Sequence, residues 1–300
     1  MFSLPRSCGT ALRGTGGARL NAALWDAASI VVRLASVAAA GIGTVGCSEP
    51  RTIRAPFATV APVIDGRGDD AVWQRAVWSA EFLDIEGPSR AVPTQRTRVK
   101  MAWSDAALFI LADLEETDLW ATLRTHDEIV FHDNDFEVFI DPDGDGCEYY
   151  EIEVNAYGTV FDLYLPKSYR AGGIANHGWT ARGMQLAIAL DGTLNDNRDR
   201  DQRWTVEMAL PWSVFEPVSV DGAGATVITR QRCERPPKRG DAWRINFSRV
   251  QWQLERVGTG YRKVSGRAED NWVWTPQWMV DMHVPQWWGR VVFDASVGTR

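Results

Sequence analysis

Histidine and cysteine, the residues most used for metal and covalent chemistry, are scarce in this sequence. Its 300 residues include 4 His and 4 Cys. The four histidines do not have the spacing of zinc ligands: His126, His132, His177 and His283. The sequence also lacks a nucleophile elbow, a phosphate-binding loop and a dinucleotide-binding fingerprint. We therefore predict neither a zinc site nor a nucleotide cofactor.

Positive charge is scarce as well. The chain has 32 Lys and Arg against 39 Asp and Glu, a net charge of −7. The first 47 residues hold four of the arginines and one aspartate, so the rest carries 28 basic and 38 acidic side chains, a net charge of −10. An acidic body repels phosphate backbones, and we therefore expect no nucleic-acid partner.

No apolar run near the start is long enough to span a membrane as a helix. Residues 34–46 are apolar or small and follow Arg33, which is typical of a secretory signal peptide. The segment Thr44-Val45-Gly46-Cys47 resembles a lipobox, although an ordinary signal peptide with an incidental cysteine is the alternative. We predict a signal peptide over 1–47, lipidation at Cys47, a linker over 48–57, and export to the periplasm or outer membrane.

Two cysteines remain in the body of the chain, Cys147 and Cys233. In an oxidising compartment they can form a disulfide, or each can be buried as a small apolar residue. The sequence leaves both alternatives open.

From about residue 58 onward, apolar and polar residues alternate with the period of two that is typical of β-strands. The predicted strands are 96–103, 108–114, 135–140, 149–155, 159–165, 184–190, 204–210, 243–250 and 289–293. One short helix is predicted at 69–76 and a surface loop at 217–240. This pattern predicts an all-β antiparallel sandwich of two packed sheets over 58–294, with a tail at 295–300.

Alternation places several acidic and amide side chains on one face of a predicted hairpin. Pairing the apolar residues of strands 135–140 and 149–155 sets Glu137 opposite Glu153, and Asp135 opposite Asn155. Opposed like charges destabilise a ladder unless something offsets them. The offset is either solvent or an arginine such as Arg98 or Arg249, or it is a bound cation, a shared proton or a ligand. With nearby Phe131, we predict a sugar site at Glu137, Glu153 and Asn155.

The turn of this hairpin has the opening of a calcium loop. Asp141, Asp143 and Asp145 follow the Asp-x-Asp-x-Asp-Gly spacing, but the twelfth position is Ile152 and a strand follows instead of a helix. A complete EF-hand is excluded. The remaining hypotheses are a looser structural calcium turn and an acidic hairpin turn without metal.

Tryptophan is abundant, with 15 in the chain, and five of these lie between positions 272 and 288. Most tryptophans in a sandwich pack in the core. Five in seventeen residues exceed what a core strand needs, so we expect at least one to line a cleft.

The ordered series of motifs resembles carbohydrate-binding module family 9 domains, in particular a long exported variant. The residues that carry the resemblance are Val63-Ile-Asp-Gly66, Asp70-Ala-Val-Trp73, Val99–Trp103, Leu108-Phe-Ile110, Asp133-Asn-Asp-Phe-Glu137-Val-Phe-Ile-Asp141, Trp204-Thr-Val-Glu207, Pro211-Trp212, Asn246-Phe-Ser-Arg-Val250, Asn271-Trp-Val-Trp274-Thr-Pro276, Met282-His283, Pro285 and Trp288-Gly289. The resemblance implies a jelly-roll-type sandwich, distantly similar to DOMON domains, often with structural calcium.

Sugar-binding members of that family clamp a terminal sugar between two aromatic rings. By resemblance, Glu137 and Asn155 fall at polar contacts, and Phe131 falls near one ring. Glu153 stands where those members offer a basic residue. The second ring aligns near Met282 and His283, so Trp274 or Trp278 would substitute for it. Of these two we select Trp274, and with it His283, as site residues.

The resemblance thus predicts a non-catalytic domain that binds a glycan or sugar end, with a glycosidase or transporter as a possible partner in polysaccharide use. Three alternatives stay open: a glycosidase using the carboxylate pair, a haem or electron-transfer module with Met101 or Met282 as axial ligand, and a ligand-free assembly domain.

Overall fold

The computed structural model describes residues 50–215 and 235–294. These residues form fourteen strands and one short α-helix, α1 (Ala71–Arg75). The strands are β1 (Thr52–Ala55), β2 (Leu83–Asp84), β3 (Thr97–Trp103), β4 (Ala107–Glu115), β5 (Asp135–Asp141), β6 (Cys147–Asn155), β7 (Val160–Lys167), β8 (Gln185–Asp191), β9 (Arg203–Pro211), β10 (Ala242–Gln251), β11 (Leu254–Val257), β12 (Gly260–Lys263), β13 (Asp270–Val273) and β14 (Gly289–Phe293).

The strands form two packed sheets. The larger has the order β1-β14-β10-β5-β6-β7, with β13 beside β10 and β2 beside β13, and the smaller has the order β3-β4-β9-β8. Strands β11 and β12 form a separate hairpin. Every pairing among the described strands is antiparallel except that of β1 with β14. The predicted all-β sandwich is confirmed.

The space between the sheets is filled by alternate residues of each strand. Phe136, Val138 and Ile140 of β5 are fully buried in one cluster with Ile110 of β4 and Val206 of β9. Removing each such side chain from water contributes about 1.5–3 kcal/mol. Because the side chains of a strand alternate, this burial directs the intervening polar residues of β5 to the outer face of the larger sheet.

The predicted helix is present but shorter, with Asp70 at its N-cap position. The Asp70 carboxylate accepts from the backbone N–H of Val63 at 3.1 Å and makes no capping bond to the helix. Trp73 of the helix is fully buried, and its indole N–H donates to Glu207 of β9 at 2.7 Å. The helix therefore packs against the smaller sheet.

The predicted linker over 48–57 is wrong for residues 52–55. These form β1, which pairs with the last strand, because alternate residues Ile53 and Ala55 are buried in the core. Sequence analysis also missed the short strands β2, β11, β12 and β13. The predicted signal peptide with Cys47, the tail at 295–300 and most of the predicted loop lie outside the described residues.

Cys147, at the start of β6, is disulfide-bonded. Cys233, the partner considered in the disulfide alternative, lies outside the described residues. Of the two alternatives for Cys147, the buried free thiol is therefore wrong. Within the described part of the chain, no helix has the length and apolar character needed to cross a membrane.

Candidate functional site

The outer face of the larger sheet carries a cleft of about 570 Å³. Its floor is formed by outward side chains of β5, β6 and β7, and these alternate with the core residues described above. The floor residues are Glu137, Phe139, Glu151, Glu153, Phe161 and Leu163. Strands that bury one apolar face thus present a mixed acidic and apolar surface on the other.

The register of the hairpin is the predicted one. Glu137 pairs with Glu153, and Asp135 pairs with Asn155. On the other side of β6, Glu153 pairs with Phe161 of β7 and Glu151 with Leu163. The cross-strand neighbours of these acids are other acids, apolar residues, Asn155 and Ser248, and none of these neighbours supplies a compensating charge.

Burial and mutual repulsion raise the pKa values of these acids. Glu137 and Glu151 are 5% exposed and Glu153 is 2% exposed. Burial raises the pKa of Glu137 to about 7. Burial, and then the charge of Glu137, raise the pKa of Glu151 to about 8. The same two causes raise the pKa of Glu153 well above its usual range. They also raise the pKa of the fully buried Asp135 well above its usual range.

Few protein donors reach these carboxyl groups. The backbone N–H of Phe131 donates to Glu153 at 3.1 Å, and that of Val250 donates to Asp135 at 3.0 Å. Asp135 Oδ2 and Glu151 Oε2 are buried and accept no hydrogen bond from the described residues. Of these two residues Glu151 lines the cleft, which therefore contains an acceptor oxygen that the described residues do not satisfy. Leaving such an atom unpaired costs about 1–3 kcal/mol.

The arginines considered as partners for the acidic pair lie elsewhere. Arg98 pairs with Asp113 at 3.0 Å on the smaller sheet. Arg249 is fully buried and pairs with Glu116 at 3.0 Å. The interpretation that one of them offsets Glu137 and Glu153 is therefore wrong.

Aromatic rings form part of the cleft wall. Phe131 is 37% exposed and Tyr169 is 45% exposed. Tyr169 packs edge-on against His283, with ring centroids 4.5 Å apart. The hydroxyl of Tyr149 lies 3.0 Å from His283 Nδ1. Burial lowers the pKa of His283 to about 4, so this imidazole is neutral at neutral pH.

Four of the predicted sugar-site residues, Phe131, Glu137, Glu153 and His283, line this cleft together. Two others do not. Trp274 is 1% exposed and packs on Phe247 in the core, where no ligand reaches its ring. The prediction that Trp274 stacks on a sugar is therefore wrong.

The prediction that Asn155 contacts the sugar is also wrong, because its amide makes hydrogen bonds inside the protein. It is fully buried, its Nδ2 donates to Asp133 at 3.0 Å, and its Oδ1 accepts from the N–H groups of Tyr157 and Thr159. None of the five tryptophans between positions 272 and 288 is among the described residues that line this cleft. Trp278 and Trp287 are exposed, but outside it.

Sequence reasoning missed Glu151 and Tyr169. Glu151 shares its face with Glu153, so alternation was sufficient to find it. Tyr169 belongs to a 3-10 turn that follows β7, and no periodic signal connects that turn to the sheet face it reaches.

The predicted calcium residues form a compact turn at the end of β5. Asp141, Asp143 and Asp145 each place a carboxylate oxygen within 4.8 Å of the others. The two oxygens of Asp141 accept from the N–H groups of Gly144 and Gly146 at 2.8 and 2.9 Å. Burial, opposed by these hydrogen bonds, raises the pKa of Asp141 to about 8. A clustered set of carboxylate oxygens fits a hard cation such as Ca²⁺.

Comparisons with known proteins agree with this architecture. A family described as carbohydrate family 9 binding domain-like matches residues 64–234. Endo-1,4-beta-xylanase A of Thermoanaerobacterium saccharolyticum is 28% identical over 157 residues, which are 52% of this chain and 11% of that protein. Exoglucanase XynX of Acetivibrio thermocellus is 27% identical over 152 residues, 51% of this chain and 12% of that protein. The match thus spans a small part of each relative.

Solved structures share the fold. A family 9 carbohydrate binding module from Caldicellulosiruptor kristjanssonii in complex with glucose has a TM-score of 0.51 at 14% identity, covering 83% of this chain and 99% of that one. A family 9 module from the same organism in complex with cellotriose has a TM-score of 0.50 at 14% identity, with coverages of 83% and 96%. A putative carbohydrate-binding protein from Bacteroides uniformis has a TM-score of 0.54 at 15% identity, with coverages of 82% and 100%.

Proposed function

This chain belongs to the carbohydrate family 9 binding domain-like family, and from that premise we propose that its outer-face cleft binds a sugar or the end of a glycan. The proposal is supported by the two similar modules that were solved with glucose and with cellotriose. The observation that carries it is the cleft itself, where exposed rings lie beside buried carboxyl groups, one of which, Glu151, has an oxygen that accepts no hydrogen bond from the described residues.

Each part of the cleft suits one part of a sugar. The flat apolar faces of Phe131 and Tyr169 suit the C–H side of a pyranose ring. The carboxyl groups of Glu137, Glu151 and Glu153 accept hydrogen bonds from sugar hydroxyls. Sugar sites combine a mostly apolar lining with a few polar groups that fix orientation, and this cleft has that composition.

The family match favours binding over glycoside hydrolysis, because the matched family is one of carbohydrate-binding domains. Of the two axial ligands considered for the haem alternative, Met101 is fully buried between the sheets, which disfavours it as a ligand, whereas Met282 lines the cleft.

Calorimetric titration of the full chain with glucose and cellotriose tests the proposal. We expect binding, and we expect Phe131→Ala to weaken it by about tenfold, or 1.4 kcal/mol, through loss of ring stacking. The matched control is Trp287→Ala, which removes a ring that is also 37% exposed but lies outside the cleft. Equal losses in both variants, or no binding of any neutral or charged glycan, would reject the cleft as a sugar site.

The cellular setting is a further part of the proposal. We propose that the chain is exported and anchored in the periplasm or outer membrane through Cys47, and that it assists polysaccharide use beside a glycosidase or transporter. The lipobox-like segment and the relationship to parts of a xylanase and an exoglucanase support this setting. We also propose that Asp141, Asp143 and Asp145 hold a structural calcium ion.

A further inference from the structure

We propose that the ligand of the cleft is an amino sugar with a free amine, whose ammonium group is held by Glu137, Glu151 and Glu153. This inference rests on the proposed function, since it names the class of sugar that the same cleft prefers. It is carried by the distribution of charge around the cleft and by an oxygen of Glu151 that accepts no hydrogen bond from the described residues.

The lining of the cleft is acidic and has no strong base. Six of the described lining residues are carboxylic acids: Asp127, Glu137, Glu151, Glu153, Glu269 and Asp281. None of the described lining residues is Lys or Arg. Arg170 lies nearby, but its guanidinium pairs with Asp281 at 2.5 Å. The cleft is therefore suited to a cation and repels an anion.

The unsatisfied atoms require a donor from the ligand. Glu151 is 5% exposed, lines the cleft, and its Oε2 accepts no hydrogen bond from the described residues. The nearest imidazole nitrogen, Nε2 of His283, is 3.9 Å away, beyond hydrogen-bond range. A sugar hydroxyl donates one hydrogen bond and carries no charge. An ammonium group donates three and is positive, so it satisfies several of these acids at once.

A bare metal ion fits the cleft less well. Asp135, Glu137 and Glu153 bring carboxylate oxygens within 4.8 Å of one another, but this group does not include Glu151. An ion there would leave the unsatisfied oxygen of Glu151 as it is. It would also leave the rings of Phe131 and Tyr169 exposed. An organic cation uses both features, because aromatic faces attract ammonium groups and also cover the sugar ring.

The test compares three β-1,4-linked trisaccharides against the full chain by calorimetry at one near-neutral pH. Cellotriose carries a hydroxyl at the decisive position, triglucosamine a free amine, and tri-N-acetylglucosamine an uncharged amide. We expect triglucosamine to bind at least about tenfold more tightly than the other two. In Glu151→Gln the ratio of triglucosamine to cellotriose affinity falls to about one, because the carboxyl that distinguishes the amine is gone.

The control is Glu255→Gln, which removes one acid from the separate β11–β12 hairpin and should keep the full preference. Melting curves confirm that each variant is folded. Cellotriose binding that equals or exceeds triglucosamine binding overturns this inference and leaves the proposed function standing. A preference that survives in both Glu151→Gln and Glu137→Gln also overturns it. If none of the three binds, both proposals fail. If Mn²⁺ alone binds more tightly than any sugar and Glu153→Gln abolishes this, the cluster is a metal site instead.

Discussion

Glu137 and Glu153 face each other directly across the β5–β6 ladder, on the outer side of the larger sheet, and both are almost fully buried. A pair of like charges at such positions is normally destabilising. Here the pair is extended by Glu151 on the same face, and the cross-strand neighbours on β7 are Phe161 and Leu163. The free protein therefore carries an electrostatic cost at the floor of the cleft.

The first prediction concerns stability against pH. Glu137 and Glu151 have folded-state pKa values raised to about 7 and about 8, whereas an unfolded Glu has a pKa of about 4.3. Between these values the folded protein holds protons that the unfolded chain has released. Stability from this source is full below about pH 4 and is lost as pH rises through about 8. The melting temperature should therefore fall between about pH 5 and 8.5.

Glu151→Gln makes this prediction specific. The variant should melt a few degrees higher than the wild type at about pH 8.5, which corresponds to about 1 kcal/mol, and the difference should vanish near pH 4. Glu255→Gln serves as the control and should follow the wild-type profile. Identical profiles for Glu151→Gln and wild type would mean that Glu151 ionises without cost.

The second prediction separates core rings from cleft rings. Trp274 packs on Phe247, and a Cβ at Gly289 would overlap the Trp274 ring. Trp274→Ala should therefore lower the free energy of unfolding by about 3–5 kcal/mol. Phe131→Ala, which removes an exposed ring, should lower it by less than about 1.5 kcal/mol. Denaturant titration measures both, and a small effect of Trp274→Ala would contradict its assignment to the core.

The third prediction concerns calcium at the Asp141 turn. If the proposed ion binds, a chelator should lower the melting temperature by several degrees, and added calcium should restore it through mass action. Asp145→Asn should reduce the effect while its Oδ1 still accepts from the N–H of Cys147, as the aspartate does at 2.8 Å. Asp105→Asn, outside the turn, is the control. If neither chelator nor added calcium changes the melting temperature, the proposed calcium ion is contradicted.

The fourth prediction concerns the anchor. Mass spectrometry of membrane-extracted protein should find a mature N-terminus at Cys47 that carries a diacylglycerol group. Cys47→Ser should block processing or release the protein from the membrane, whereas Cys8→Ser should change neither. Soluble mature protein that begins at another residue would contradict the proposed lipidation.

Alternation alone predicted the central hairpin and its register. A one-residue slip would move Phe136, Val138 and Ile140 from the core to the outer face, so their burial fixes how the two strands pair. The same pattern gave the opposition of Glu137 and Glu153. It did not reveal which outward residues are covered by other parts of the chain. Asn155 shares the outer face, yet the segment around Leu123 covers it and accepts a hydrogen bond from its amide.

Trp274 shows a second limit of sequence reasoning. Density of tryptophan indicates buried area but does not say on which side of a sheet the rings lie. Trp272 and Trp274 both enter the core between the sheets, while the exposed Trp278 and Trp287 contact each other away from the cleft. Tyr169 shows the converse, since the 3-10 turn that follows β7 supplies part of the cleft wall and periodicity does not predict it.

The parallel pairing of β1 with β14 has a mechanical consequence. The first and last described strands run side by side in the same direction, with Thr52 beside Arg290 and Ala55 beside Phe293. A force that pulls the chain from its two ends therefore draws these strands past each other along their axes. The bonds that join them, such as Arg290 N–H to Arg51 and Asp294 N–H to Ala55, then share the load and must break together. A domain closed in this way resists tension between whatever holds its two ends.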